Sequence, residues 1–344
     1  MGHINSGPLG EIYYDDFWEY DPSSDSWSQI ANYPGLPGCG PVSFVIDGFA
    51  YVGAYETDPS VNTTDFYRYD PTSNSWNAIS PVPTGMSDMS AFAIDGKGYY
   101  LDGTTGWLIQ YDPGTDSWVY HSAPPEYIYN SAATFVIDNQ AYFVSYGPIT
   151  LRFDPAFNTW EYLPPFPGTA FYGFNGFAVH GKGYVIGGYA WDEFGGYEAT
   201  KEFWEFDPAT SSWIQREDFP GSKRRVACAF TINDIAYYGL GTNGTNFNDL
   251  WAFSLLLSDD KLPTEDIPAP YPNPFGQSVT FNIGDSFTNT ATLLLYDGTG
   301  RVVASKEFTD PELLFERGDL ESGTYFYKIT SSSEVLKSGK LVLQ

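Results

Sequence analysis

An aromatic residue followed by Asp-Pro and, after four more residues, by Trp occurs five times in this 344-residue chain, and a repeat of that period constrains the fold more than any other feature. The copies run from Tyr20-Asp21-Pro22 to Trp27, Tyr69-Asp70-Pro71 to Trp76, Tyr111-Asp112-Pro113 to Trp118, Phe153-Asp154-Pro155 to Trp160 and Phe206-Asp207-Pro208 to Trp213. Successive aspartates are 49, 42, 42 and 53 residues apart. Proline removes a ladder donor and fixes φ, so each Asp-Pro ends a strand. The polar residues after it suit a turn, and the tryptophan opens the next strand.

Between the copies lies a second element, two short apolar strands around a two-residue turn, clearest at 44–52 and centred on Asp47-Gly48. The other turns fall at Asp95-Gly96, Asp138-Asn139, His180-Gly181 and Asn233-Asp234. Such pairs tolerate the positive φ of a type I′ hairpin, so five hairpins are predicted from local chemistry. Each unit then reads as a hairpin, a third strand ending in Asp-Pro and a fourth strand starting at Trp. A four-stranded sheet repeated around an axis is a β-propeller blade.

The runs at 16–27, 65–71 and 203–208 and the pair Gly187-Gly188 resemble kelch repeats, which also build galactose-oxidase-type propellers; the likeness covers about residues 10–256. The double glycine is degenerate elsewhere, as in Gly239-Leu240-Gly241 and Asp102-Gly103. Five hairpins and five Trp strands accompany six third strands, the sixth at 249–253. The expectation is therefore an all-β kelch propeller of six-bladed parentage with its first blade incomplete, a five-bladed ring with a surplus strand being the alternative. The opening residues carry no basic segment or apolar run of a signal peptide, so the chain is expected to begin inside a blade, truncated at its start.

Beyond Leu257 the repeat stops. Residues 1–256 read as the propeller, 257–269 as a polar, proline-rich linker and 270–344 as a second domain. Alternating strands at 278–283, 290–296, 301–308, 323–329 and 335–343 suggest a small Ig-like β-sandwich. This segment is similar to the C-terminal sorting domain (type A) of type IX secretion cargo. The resemblance rests on Tyr271-Pro272-Asn273-Pro274-Phe275, on the run 295–301 ending in Gly300-Arg301, on the run 322–329 with Gly323 and Tyr325, and on the closing run 338–343. It implies the type IX secretion machinery as a partner and a destination outside the cell or on the outer face of the outer membrane.

Charge narrows the other partners. Sixteen Lys and Arg against 43 Asp and Glu give a formal −27, a field that repels phosphate backbones and anionic headgroups, so nucleic acid is not expected. No stretch reaches the ~20 apolar residues of a membrane span. Cys39 and Cys228 lack metal or redox spacing and are expected to be free, buried thiols.

No cofactor is expected. The copper chemistry of galactose-oxidase-type propellers needs converging imidazoles, whereas His3, His121 and His180 fall on unrelated elements. Most acids have structural explanations: the Asp-Pro aspartates form turns, Asp47, Asp95, Asp138 and Asp234 sit in hairpins, and Asp16, Asp65 and Asp249 precede third strands. A glycosidase needs only two carboxylates facing one cleft, so a secreted carbohydrate-active enzyme stands as the alternative to a binding or adhesion module. No catalytic residue is assigned.

Propeller function tends to sit in loops held at one rim. Aligning Phe44, Phe92, Phe135, Phe177 and Phe230 places Cys39, Ser87, Asn130, Tyr172 and Arg225 at equivalent positions before the inner strand. Arg225 belongs to Lys223-Arg224-Arg225, the basic cluster of the repeat region, and the longest loop, 189–202, carries Trp191, Phe194 and Tyr197. Trp191, Tyr197, Arg225, Arg224, Tyr172 and Asn130 are thus the candidate ligand-binding residues, for an extracellular protein or a glycan whose rings stack and whose anionic group meets arginine. The competing expectation is that these aromatics only pack the long loop onto its own blade.

Overall fold

The computed structural model describes residues 2–5, 11–22, 24–57, 61–85, 89–103, 105–129, 131–192, 194–253, 270–283, 290–297, 302–318, 320–331 and 334–344. Among them there is no helix; all regular structure is antiparallel strand. The chain divides into two compact units, residues 1–253 and 254–344. The linker expected at 257–269 lies outside the described residues.

The repeat becomes a succession of sheets whose strands follow chain order. Four are complete: Val42–Ile46 with Phe49–Gly53, Phe66–Asp70 and Ser75–Ala78; Ala91–Ile94 with Lys97–Leu101, Leu108–Asp112 and Ser117–Tyr120; Ala133–Ile137 with Gln140–Ser145, Ile149–Asp154 and Thr159–Tyr162; Asn175–Val179 with Lys182–Ile186, Phe203–Asp207 and Ser212–Gln215. Among the described residues the last repeat sheet has three strands, Cys228–Ile232, Ile235–Gly239 and Leu250–Phe253, and the first repeat sheet two, Phe17–Asp21 and Ser26–Ile30; Gly2–Asn5, Glu11–Tyr14, Gly38–Cys39, Glu56–Thr57 and Val61–Asn62 form a separate five-stranded sheet. All five hairpin turns adopt positive φ, from Asp47 at 50° with Gly48 at 80° to Asn233 at 50° with Asp234 at 60°, as type I′ geometry requires. The Asp-Pro turns are closed by the aspartate itself: the Oδ1 atoms of Asp112, Asp154 and Asp207 accept from backbone N–H groups two residues on, at 2.8, 2.9 and 2.9 Å.

The tryptophans rivet one sheet to the one before. Nε1 of Trp76 donates to the carbonyl of Ala31 at 2.8 Å, Trp118 to Ser80 at 2.8 Å, Trp160 to Ser122 at 3.1 Å and Trp213 to Pro164 at 3.2 Å. Nearer the inner strands, a buried phenylalanine leans over a small residue of the following sheet. A Cβ on Gly98 would meet the Phe44 ring at 2.2 Å and one on Gly183 the Phe135 ring at 2.0 Å, so glycine is what lets these sheets approach. Phe44, Phe92, Phe135 and Phe177 are each 4–6 % exposed, and burying each is worth about 2 kcal/mol. The same ring contact that joins Tyr51 to Tyr111 (5.6 Å) and Tyr184 to Phe253 (5.3 Å) in successive sheets joins Tyr237 of the last sheet to Tyr20 of the first (5.4 Å).

In the second unit a four-stranded sheet (Val302–Phe308, Ala291–Tyr296, Gly323–Ser331, Glu334–Leu343) and a two-stranded sheet (Ser278–Asn282, Glu312–Glu316) bury one core around Val279, Phe281, Leu293, Leu295, Ile329 and Leu341. The strand Glu312–Glu316 was not expected from the sequence. Its two glutamates frame a short alternation in which Leu313 and Phe315 face inward at 5 % and 7 % exposure.

The cysteine expectation is corrected in part. Neither cysteine forms a disulfide, but Cys39 is half-buried and Cys228 exposed. Cys228 opens the inner strand of the last sheet, and among the described residues Phe17–Asp21 and Ser26–Ile30 have no inner strand paired to them.

Candidate binding face

The segments leading into the inner hairpins and those following them are knitted together by backbone bonds on one face of the repeat unit. Phe171 N–H donates to Tyr189 O at 2.8 Å, Gly188 N–H to Arg224 O at 2.9 Å, and Arg225 and Thr242 exchange a pair of bonds at 3.0 and 3.1 Å. Loops fixed in this way hold their side chains without further ordering, which favours recognition.

Six aromatic rings from four connecting segments, at 121–132, 146–148, 163–174 and 187–202, form an unbroken row on this face. Tyr127 meets Tyr129 at 5.0 Å, Tyr129 meets Tyr146 at 5.6 Å, Tyr146 meets Phe171 at 5.9 Å, Phe171 stacks on Trp191 at 5.1 Å, and Trp191 touches Tyr197 at 4.5 Å. Phe171 is half-buried; the other five are 45–59 % exposed. Several members are fastened in place. Tyr127 Oη donates to Gly103 O, Tyr129 N–H to Ser145 Oγ, and Trp191 and Tyr197 pair across the hairpin Tyr189–Trp191 with Tyr197–Ala199.

Arg225 closes the row. Its guanidinium lies over the Tyr189 ring at 4.4 Å, Tyr189 in turn contacts Tyr197 at 6.2 Å, and Arg225 Nε is buried without a hydrogen-bond partner. Its neighbours are committed elsewhere. Lys223 pairs with Glu198. Arg224 is wholly buried: its guanidinium holds both oxygens of Asp249 at 2.5 and 2.7 Å and the Leu240 carbonyl at 3.0 Å, between the rings of Phe219 and Phe247. That contact holds the Asp249 carboxyl down to about 2. Of the residues singled out from sequence, Trp191, Tyr197 and Arg225 therefore come together. Arg224 is interior, and Tyr172 meets the group through its backbone bridge to Tyr189. Asn130 lies outside the described residues.

Sequence reasoning missed Tyr127, Tyr129, Tyr146 and Phe171. The signal was the run Tyr127-Ile128-Tyr129, in which Ile128 is buried at 2 % while its flanking tyrosines point outward.

A depression between Lys201, Ser222, Lys223, Asn243, Asp249 and Trp251 contains a single carboxylate, Asp249, already bound by Arg224. A two-carboxylate hydrolytic site is not assembled there. Among the described residues no group of three His, Cys, Asp or Glu is placed to hold a metal ion.

In the second unit the motif at 271–275 is fastened to the end of the chain. Asn273 accepts from Val342 N–H and donates to Lys340 O, both at 2.8 Å; Phe275, 2 % exposed, donates from its N–H to Val342 O and accepts from Gln344 N–H, both at 2.9 Å. Pro272 and Pro274 follow cis bonds. Tyr325 is buried, its hydroxyl donating to Glu321 O at 2.7 Å, and Gly323 opens the strand that pairs with the final one. Gly300 and Arg301 lie outside the described residues.

Residues 269–344 match the family model of the secretion system C-terminal sorting domain. The chain ends in a type IX sorting domain. Such a tail marks a protein for export by the type IX machinery, to the medium or the cell surface. No curated protein matches the chain. Among solved structures, that of YjhT is similar over 70 % of this chain and 89 % of its own, with a TM-score of 0.61 and 17 % identity. A likeness at that identity establishes a β-propeller-like, all-β fold.

Proposed function

We propose that residues 1–256 form a kelch-type propeller with six blade positions, the first holding two strands, joined by residues 257–269 to an Ig-like sandwich at 270–344. In this reading the propeller is an extracellular recognition module and the sandwich is its export address. The ring is supported by the Tyr237–Tyr20 contact, which repeats between last and first sheets the spacing found between consecutive ones.

The binding role rests on one observation: six rings from four separate connecting segments in continuous contact, five of them about half exposed. Rings needed for packing would turn inward, as Phe135 and Phe206 do. Aromatic faces stack on the apolar faces of sugars and on partner side chains, and Arg225 at the end of the row offers charge-assisted bonds to a carboxylate or sulfate. The ligand so described is an extracellular glycan or protein segment with an apolar face and an anionic group.

The test is a screen of the full chain against glycan and extracellular-protein arrays. A specific hit that weakens with Trp191→Ala supports the reading; silence on both arrays contradicts it.

A further inference from the structure

We propose that the depression between Lys201, Ser222, Lys223 and Trp251 is a second binding site, one that takes a hexuronate, a sugar ring carrying a carboxylate. None of the six rings of the aromatic row lines it, and it stands whether or not the row binds. The preceding unit holds the same parts in a closed arrangement. There Phe166-Pro167-Gly168-Thr169 precedes Glu202-Phe203-Trp204; here Phe219-Pro220-Gly221-Ser222 precedes Asp249-Leu250-Trp251. The two copies share their bonding. Phe166 N–H donates to Pro148 O at 3.1 Å and Phe219 N–H to Lys201 O at 2.9 Å. Phe166 meets Trp204 edge-on at 6.0 Å and Phe219 meets Trp251 likewise at 5.4 Å. Each indole Nε1 donates to the carboxylate two residues before it, at 2.9 and 2.8 Å.

The copies differ in what the carboxylate does next. In the preceding unit Thr169 grips both oxygens of Glu202, one from its N–H at 2.9 Å and the other from its Oγ1 at 2.6 Å. In the last unit the shorter Asp249 has both oxygens held by Arg224 instead. Ser222 accepts at its carbonyl from Arg224 Nε, but among the described residues neither its N–H nor its Oγ has a hydrogen-bond partner. That pair of donors is the one the protein itself uses, one unit earlier, to receive a carboxylate. The tryptophans differ accordingly: Trp204 is half-buried, whereas Trp251 is 39 % exposed.

Charge and lining specify the occupant. Both lysines are particular to this unit, Lys201 standing where the other copy has Pro148 and Lys223 where it has Ala170. Lys201 pairs with no carboxylate among the described residues. Lys223 meets Glu198 in an exposed pair, which an incoming anion displaces at little cost. With Arg224 matched by Asp249, Lys201 leaves the depression cationic in a chain of formal charge −27. Lysine and the Ser222 donors give a carboxylate charge-assisted bonds. The exposed indole of Trp251 offers a platform for the apolar face of a sugar ring, and Asn243 beside it a partner for a hydroxyl. Apart from Pro220, Gly221 and Trp251 the lining is polar, which suits a sugar and gives peptide side chains no apolar seat.

The experiment titrates the full chain with the methyl glycosides of glucuronic and galacturonic acid, with methyl glucoside and with acetate, followed by ligand-observed NMR. Saturable binding of either uronate on the order of millimolar, with methyl glucoside and acetate weaker by about tenfold or more, is the expected result. Lys201→Ala and Trp251→Ala should each weaken the uronate by about fivefold or more, as loss of an anchor does. Trp191→Ala, in the aromatic row, should leave it unchanged, which separates this site from that one. Should Trp251→Ala disturb its contact with Phe219, Lys201→Ala alone carries the test. No saturable binding of either uronate overturns the proposal. So does acetate binding as tightly, which would make this a bare anion site, or a diglutamate peptide binding in preference to both sugars. Uronate affinity unmoved by Lys201→Ala overturns it as well.

Discussion

The indole N–H of Trp118 reaches across from its own sheet to the carbonyl of Ser80 in the sheet before, at 2.8 Å, while Asp116 of the adjoining turn accepts from Ser80 N–H at 2.9 Å and from Tyr111 Oη at 2.8 Å. One Asp-Pro-to-Trp unit thus makes its own turn and also ties it to a neighbour. The repeat is visible in sequence because the copies ending in Trp76, Trp118, Trp160 and Trp213 each satisfy a carbonyl of the preceding unit.

Trp118→Phe keeps a large ring but leaves the Ser80 carbonyl without its donor. It should lower stability by about 1–2 kcal/mol, the cost of an unmet polar group at a part-buried site. Thermal melting of the full chain, monitored in the propeller transition, reads this. An unchanged midpoint would show that the bond is decorative.

Arg224 and Asp249 make acid stability specific. The folded carboxyl sits near 2, below the ~3.9 of an unfolded aspartate, so its contribution is complete above about pH 4 and lost as pH falls towards 2. Asp249→Asn should cost on the order of 2–3 kcal/mol at neutral pH by stranding a buried guanidinium, discounted because the Asp249 side chain is 37 % exposed. The difference between wild type and variant should shrink between pH 4 and pH 2. A difference constant across that range contradicts the assignment.

Asn273 and Phe275 should govern the end of the chain. Asn273→Ala removes two bonds to the final strand, and Phe275→Ala opens a cavity worth about 3–5 kcal/mol. Hydrogen exchange at Val342 and Gln344 should accelerate in both variants, more in Phe275→Ala, while the propeller amides stay protected. Equal acceleration throughout the chain would contradict a local clamp.

Much of this architecture was legible in the sequence because it depends on local chemistry repeated: Asp47-Gly48 and its counterparts need positive φ, and Asp-Pro followed by Trp needs a turn. The strand Glu312–Glu316 was hidden because two inward residues between charged ones make too short an alternation to stand out. The aromatic row was half legible. Trp191 and Tyr197 sit in a conspicuous long loop, whereas Tyr129, Tyr146 and Phe171 lie in three different short connections and become neighbours only when successive sheets pack. Arg224 looked like its basic neighbours; the partner that draws it inside, Asp249, is far along the chain.

The account stands most directly on the affinity of the full chain for its array-identified ligand, measured by titration for wild type, Trp191→Ala, Tyr146→Ala and Arg225→Ala with melting points matched. Each substitution should weaken binding by about tenfold or more, the loss expected at an aromatic or arginine anchor, although the three residues come from different connections. Affinity unchanged in all three, with a folded propeller, would contradict the aromatic row as the recognition surface.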